Sequence, residues 1–272
     1  MAGGFCLYSD YFSKDCQVAH LRLQKVAVLR LLDGQVRPER IGKNTEVTMG
    51  AAIVFDLDGT LVDSLGDIVA AANQTLSYLD LPPLPREVIG RFVGNGLPKL
   101  VERMIRHCEL PLDRHGELTK VTLAHYTAGA SKTTVPYPGI PQALASLQSQ
   151  GHILGVCTNK PEAPARHILD VLDLSRYFDV VLGGDSLTTR KPDPQHLFAS
   201  FDALPAHGSR VFVGDSEVDA ETAERAKIPF LLFTQGYRKS PVTDIPHDVA
   251  FDTAEEIPSL VAQMVQMSDQ VK

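Results

Sequence analysis

The feature that most constrains this chain is an apolar run at 51–55 that stops abruptly at Asp56, with Gly59 close behind. An unbroken apolar stretch of strand length, bounded by turn-forming residues, is how a β-strand buried on both faces reads. Similar runs follow at 153–158, 180–183, 211–214 and 230–233. Between them lie stretches with helical periodicity, at 140–150, 161–172, 194–204 and 217–227. Strands that alternate with amphipathic helices call for right-handed crossovers, so the expected fold is α/β, a doubly wound parallel sheet. Such sheets bind ligands outside the carboxyl ends of their strands.

One interval breaks the rhythm. Residues 65–135 show helical patterns at 65–79, 97–108 and 113–128, with Pro82, Pro83 and Pro85 punctuating the first boundary and no clear strand. The expectation is a helical insertion after the first strand, re-entering the main fold near Tyr137, Pro138 and Gly139. The main fold then comprises 49–64 and 136–272, the insertion 65–135, and residues 1–48 form an extension ahead of both. That extension carries a formal charge of +2 against −9 for the remainder. It reads as an appendage outside the main fold, from an upstream start codon, with a docking segment as the alternative. Its stretch 18–32 is apolar enough for a short helix or strand, but Asp10 and Asp15 precede it and Arg22, Lys25 and Arg30 interrupt it, unlike a signal peptide.

A length of 272 residues agrees with more than one folding unit. No run approaches the roughly 18 apolar residues of a membrane span. The net charge of −7 opposes broad attraction to nucleic acid, so an anionic ligand has to be met by a local cluster of donors. Cys6, Cys16, Cys108 and Cys157 lack metal-binding spacing and read as reduced thiols of a cytoplasmic protein.

Four signals fall at predicted strand ends. Asp56-Leu57-Asp58-Gly59-Thr60 leaves the first strand; alone it would pass for an acidic turn. Cys157-Thr158-Asn159 leaves the next, ahead of Pro161 and a helix whose free backbone N–H groups suit a phosphate, or simply a cap. Lys191-Pro192-Asp193-Pro194 sets Lys191 on a stiff loop, because Pro192 drives it out of the helical region and Asp193-Pro194 opens a helix. Gly214-Asp215-Ser216-Glu217-Val218-Asp219 again runs a buried strand into carboxylates, which lets a hard cation approach the chain. No zinc-protease HExxH, GxSxG serine elbow or Walker A loop occurs.

Taken in order, these four motifs resemble those of the haloacid dehalogenase superfamily of phosphatases, over nearly everything from Ala51 to Phe233. The insertion lies where that family places its type 1 helical cap. The resemblance implies that Asp56 is the nucleophile attacking phosphorus and that Asp58 protonates the leaving oxygen, then activates water. It implies Mg2+ held by the Asp56 carboxylate, the Asp58 carbonyl and Asp215, with Asp219 supporting its water shell. Lys191 would neutralise charge, and Thr158 and the Asn159 N–H would bind phosphoryl oxygens. Dehalogenases and phosphonate-cleaving members lack a carboxylate where Asp58 stands, so a phosphate ester is implied.

Narrower phrases are similar to phosphoglycolate phosphatases: Pro136 to Gly139, Cys157 to Pro161, Gly183 to Ser186, and Gly236-Tyr237-Arg238, which has no assigned role. So is Val93-Gly94-Asn95-Gly96-Leu97, where Gly94, Asn95 and Gly96 would close over a small phosphorylated metabolite, unless they form a plain inter-helix turn. Lys99 or Arg103 would meet the carboxylate of 2-phosphoglycolate, unless both are solvated. A β-phosphoglucomutase-like mutase, a nucleotidase or pyrophosphatase, and a non-catalytic binding module stay open as alternatives. So do monomer and homodimer.

Overall fold

The computed structural model describes residues 50–129, 131–205 and 208–270; the expectation for residues 1–48 lies outside them. A six-stranded sheet, parallel throughout, forms the centre. Its strands are β1 (Ala52–Phe55), β4 (Ile153–Cys157), β5 (Val180–Leu182), β6 (Arg210–Gly214), β7 (Phe230–Phe233) and β8 (Val249–Phe251), in the order β5-β4-β1-β6-β7-β8. The first strand thus pairs with β4 on one side and β6 on the other, the point where strand order reverses and a ligand crevice opens.

Alternation along β1 sorts the core onto two faces. Ile53 and Phe55 join one cluster, covered by α5 (Ile140–Ser149), α6 (Glu162–Val171) and α9 (Ile257–Gln270). Ala52 and Val54 join the other, covered by α7 (Pro194–Asp202) and α8 (Glu217–Ala226). Both faces being covered explains why the strands read as continuous apolar runs. Burying each such Val, Ile or Phe side chain stabilises the fold by about 1.5–3 kcal/mol.

Residues between the first strand and α5 are helical, apart from a short antiparallel pair. The pair is β2 (Val62–Asp63) with β3 (Val135–Pro136). Between them run α1 (Leu65–Tyr78), α2 (Arg86–Gly90), α3 (Leu97–His107) and α4 (His115–Gly129). Helix α3 shows the local logic. Pro98 occupies its first turn, Arg106 and His107 complement the dipole at its end, and Leu100, Val101, Met104 and Ile105 bury one face. Helices α1 and α4 pack together, and Thr75 of one donates to Thr122 of the other at 3.0 Å.

The inserted segment is also tied at its base. Asp67 of α1 accepts four hydrogen bonds, from the backbone and hydroxyl of Thr133 (3.0 and 2.7 Å) and of Thr134 (3.2 and 2.5 Å). Those threonines lie just ahead of β3, so one carboxylate fastens the outgoing chain to the returning one. Burial raises its pKa, but the four donors prevail and hold it below the usual carboxylate range.

Candidate active site

Three of the four motifs leave adjacent strands. Asp56 follows β1, Thr158 follows β4 and Asp215 follows β6, so the sheet's order alone brings them to one end. Lys191 comes from the loop between β5 and α7, where Asp193 caps the helix by accepting from the Gln195 N–H at 2.9 Å. Its Nζ lies 2.9 Å from Asp56 Oδ1 and 2.6 Å from Asp219 Oδ1, and it is 3% exposed. Burial alone would lower the lysine's pKa; Asp219 and Asp56 hold it above the ordinary value, so it stays charged.

One carboxylate oxygen each from Asp56, Asp215 and Asp219 lies within 4.8 Å of the other two, and all three residues are buried. Burial pushes Asp56 up to about 6, with Lys191 opposing and Asp219 adding to the rise. Asp215 is raised by burial and by repulsion from Asp219 and Asp56. Thr60 Oγ1 donates to Asp215 Oδ1 at 2.9 Å, and the Tyr237 N–H donates to Oδ2 at 2.6 Å. Asp219 is heavily engaged. Its Oδ2 accepts from the Ser216 hydroxyl (2.6 Å) and from the N–H groups of Ser216 and Asp215 (3.2 and 3.3 Å), while Oδ1 takes Lys191. That suits it to support the cluster, leaving Asp56 and Asp215 freer to ligate.

Three buried acids against one lysine leave an excess of two negative charges when all are ionised. Asp56 Oδ1 has the lysine ion pair and no aligned hydrogen-bond donor. Buried charge of that kind persists when a cation neutralises it, and an all-oxygen donor set fits a hard divalent ion. Gly59 permits the crowding. It adopts φ +92°, and a side chain there would clash with the Asp215 carboxylate.

Asp58 stands apart from this cluster. Its Oδ1 accepts from Ser64 Oγ at 2.5 Å and from Lys160 Nζ at 2.9 Å, and its Oδ2 from Lys160 at 2.8 Å. Asp56, Asp58, Thr158, Asn159, Gly94 and Gly96 line one pocket, together with apolar side chains of α1, α3 and α4. The loop carrying Gly94 and Gly96 therefore approaches the strand ends. At Gly96 a side chain would meet the Asn159 carbonyl at 2.9 Å, and φ is +80°.

The remaining candidates are placed elsewhere. Asn95 turns its amide oxygen to Arg103 (2.6 Å) and does not line the pocket. Arg103 is occupied by Asn95 and by the Phe92 carbonyl at 2.7 Å, and Lys99 forms a surface ion pair with Glu102 at 2.7 Å. Neither reaches the pocket. The Asn159 amide donates to the Lys191 carbonyl at 3.0 Å, binding the second motif to the third.

Sequence reasoning assigned no role to Lys160, Tyr126, Ser64 or Tyr237. Lys160 and Tyr126 line the pocket. The Tyr237 hydroxyl accepts from the Ser64 and Leu65 N–H groups (2.7 and 3.0 Å) and donates to Asp63 (2.7 Å), while its own N–H reaches Asp215. It thereby links the acid cluster to the start of α1. The Gly-Tyr-Arg phrase at 236–238 was the one available signal.

Comparison with known proteins agrees with this geometry. The family model for haloacid dehalogenase-like hydrolases matches residues 53–233. The chain belongs to that family and is a phosphatase of it. Its relatives include phosphoglycolate phosphatases of Cereibacter sphaeroides, 44% identical over 78% of this chain and 98% of the relative. Another, from Rhodobacter capsulatus, is 37% identical over 78% and 97%. A crystal structure described as a predicted phosphoglycolate phosphatase from Haemophilus somnus superposes with TM-score 0.71 at 29% identity, covering 79% of this chain and 99% of that one.

Proposed function

We propose that this phosphatase hydrolyses 2-phosphoglycolate to glycolate and phosphate through a phosphorylated Asp56. The observation that carries the reading is the convergence of Asp56, Lys191, Asp215 and Asp219 at the carboxyl ends of adjacent strands, beneath a pocket that Asp58 also lines. The names of the relatives favour the substrate.

In this reading the helical segment 65–135 is a cap over a core formed by 49–64 and 136–272. Asp56 attacks phosphorus in line with the leaving alkoxide, and Asp58 gives that alkoxide its proton. The same Asp58 then takes a proton from the water that cleaves the acyl phosphate. Lys191 offsets charge on the transferring phosphoryl group, and Thr158 and the Asn159 N–H orient its oxygens. Asp56, Asp215 and the Asp58 carbonyl would hold Mg2+, with Asp219 behind them; the ion would supply charge neutralisation at the phosphoryl oxygens.

A panel of phosphate monoesters assayed with Mg2+ for phosphate release tests this. Preference for 2-phosphoglycolate is expected. Preference for a hexose phosphate or nucleotide refutes the substrate, and interconversion without net release points to a mutase.

A further inference from the structure

Lys160 is the one cation among the residues lining the pocket. It is 8% exposed, and its Nζ gives two of its three protons to Asp58, at 2.9 and 2.8 Å. The same Nζ stands 4.4 Å from the centre of the Tyr126 ring. Tyr126 comes from α4 and is 4% exposed; its hydroxyl oxygen faces the Lys160 ammonium, and its proton has no acceptor. A buried hydroxyl proton without an acceptor is costly, and an acceptor arriving with a ligand would remove that cost. The adjoining walls are apolar: Ile68, Val93, Leu97, Leu100 and Leu123. A charged ligand group entering there needs a cation and a donor beside it.

From this juxtaposition we infer that Lys160 and the Tyr126 hydroxyl form the subsite that binds a carboxylate on the substrate, and so set its specificity. The inference rests on Asp58 being the acid that meets the bridging oxygen of the phosphate ester. In a phosphoglycolate-type substrate the carboxylate lies one methylene beyond that oxygen. A cation held against Asp58 is therefore within reach of it. Arg103 and Lys99, the cations expected from sequence, are engaged elsewhere.

The test compares kcat/KM for 2-phosphoglycolate and for ethyl phosphate, which has a methyl group in place of the carboxylate, in the full chain with Mg2+. Wild type is expected to favour 2-phosphoglycolate. Lys160→Gln lowers activity on both, because Asp58 loses its partner, but lowers the ratio of the two by on the order of 10²-fold. Tyr126→Phe lowers the ratio by about fivefold, through KM for 2-phosphoglycolate. An unchanged ratio in Lys160→Gln overturns the inference, since Lys160 would then serve Asp58 alone. If that variant does not fold, Tyr126→Phe, which removes one oxygen and keeps the ring, decides by the same criterion. Wild-type indifference to the carboxylate overturns the substrate reading as well, which separates the two failures.

Discussion

Replacing Asp56 by asparagine turns the oxygen proposed as nucleophile into an amide while keeping the shape of the side chain. Phosphate release is expected to fall by on the order of 10⁴-fold or more, because no other group is placed to accept the phosphoryl. The fold should survive. Lys191 keeps Asp219 at 2.6 Å, and the repulsion that helps push Asp56 upward is relieved. A metal-free thermal melt close to wild type, beside lost turnover, is the expected pair of results; retained turnover contradicts the nucleophile assignment. The acids of this centre were legible in the sequence because each follows an apolar run whose strand character fixes its direction. Lys160 was not. Its partner Asp58 is 102 positions away, and the family-like phrase at 157–161 that contains this lysine says nothing of what it touches. Tyr126 was hidden for a related reason: an aromatic on an amphipathic helix reads as core until its hydroxyl is found beside Lys160 with no acceptor for its proton.

Among the elements, the tie between α1 and the strand returning from the insertion depends on an ionised carboxylate and is sensitive to acid. Asp67→Ala removes four hydrogen bonds to a buried carboxylate and should cost about 2–4 kcal/mol at neutral pH. Because the folded pKa is depressed, this contribution is complete above about pH 4 and disappears as pH falls through the lowered value. Urea titrations of wild type and variant at pH 7 and near pH 3 should therefore show the difference shrinking; a constant difference contradicts the charged-acceptor account. The main strands and helices were legible, since burial on both faces leaves long apolar runs. The β2–β3 pair was not, because a two-residue strand has no period to detect. The edge strand β8, which pairs only with β7, was missed as well, since two of its three residues are half-buried and it lacks the fully buried run of the central strands.

For the molecule as a whole, stability is expected to respond to a hard divalent ion, which the acid cluster suits. Added Mg2+ should raise the melting temperature, by about 2.7 kcal/mol of stabilisation at a concentration 100 times Kd, and chelation should reverse it. Asp215→Asn should lose most of that response, since Asp215 is a buried member of the cluster whose donors, Thr60 and the Tyr237 N–H, are both neutral. An equal response in both proteins would locate ion binding elsewhere. The net charge of −7 gave no hint of this centre, because total charge says nothing about where three acids meet. A different consequence follows from β2 and β3 lying side by side. The inserted helices leave and rejoin the sheet domain across a single ladder spacing, about 4.8 Å. The segment is therefore attached like a cassette in a slot, and on the proposed cap reading its exchange for another helical module with equally close ends should alter which molecules are admitted without disturbing a single rung of the main sheet.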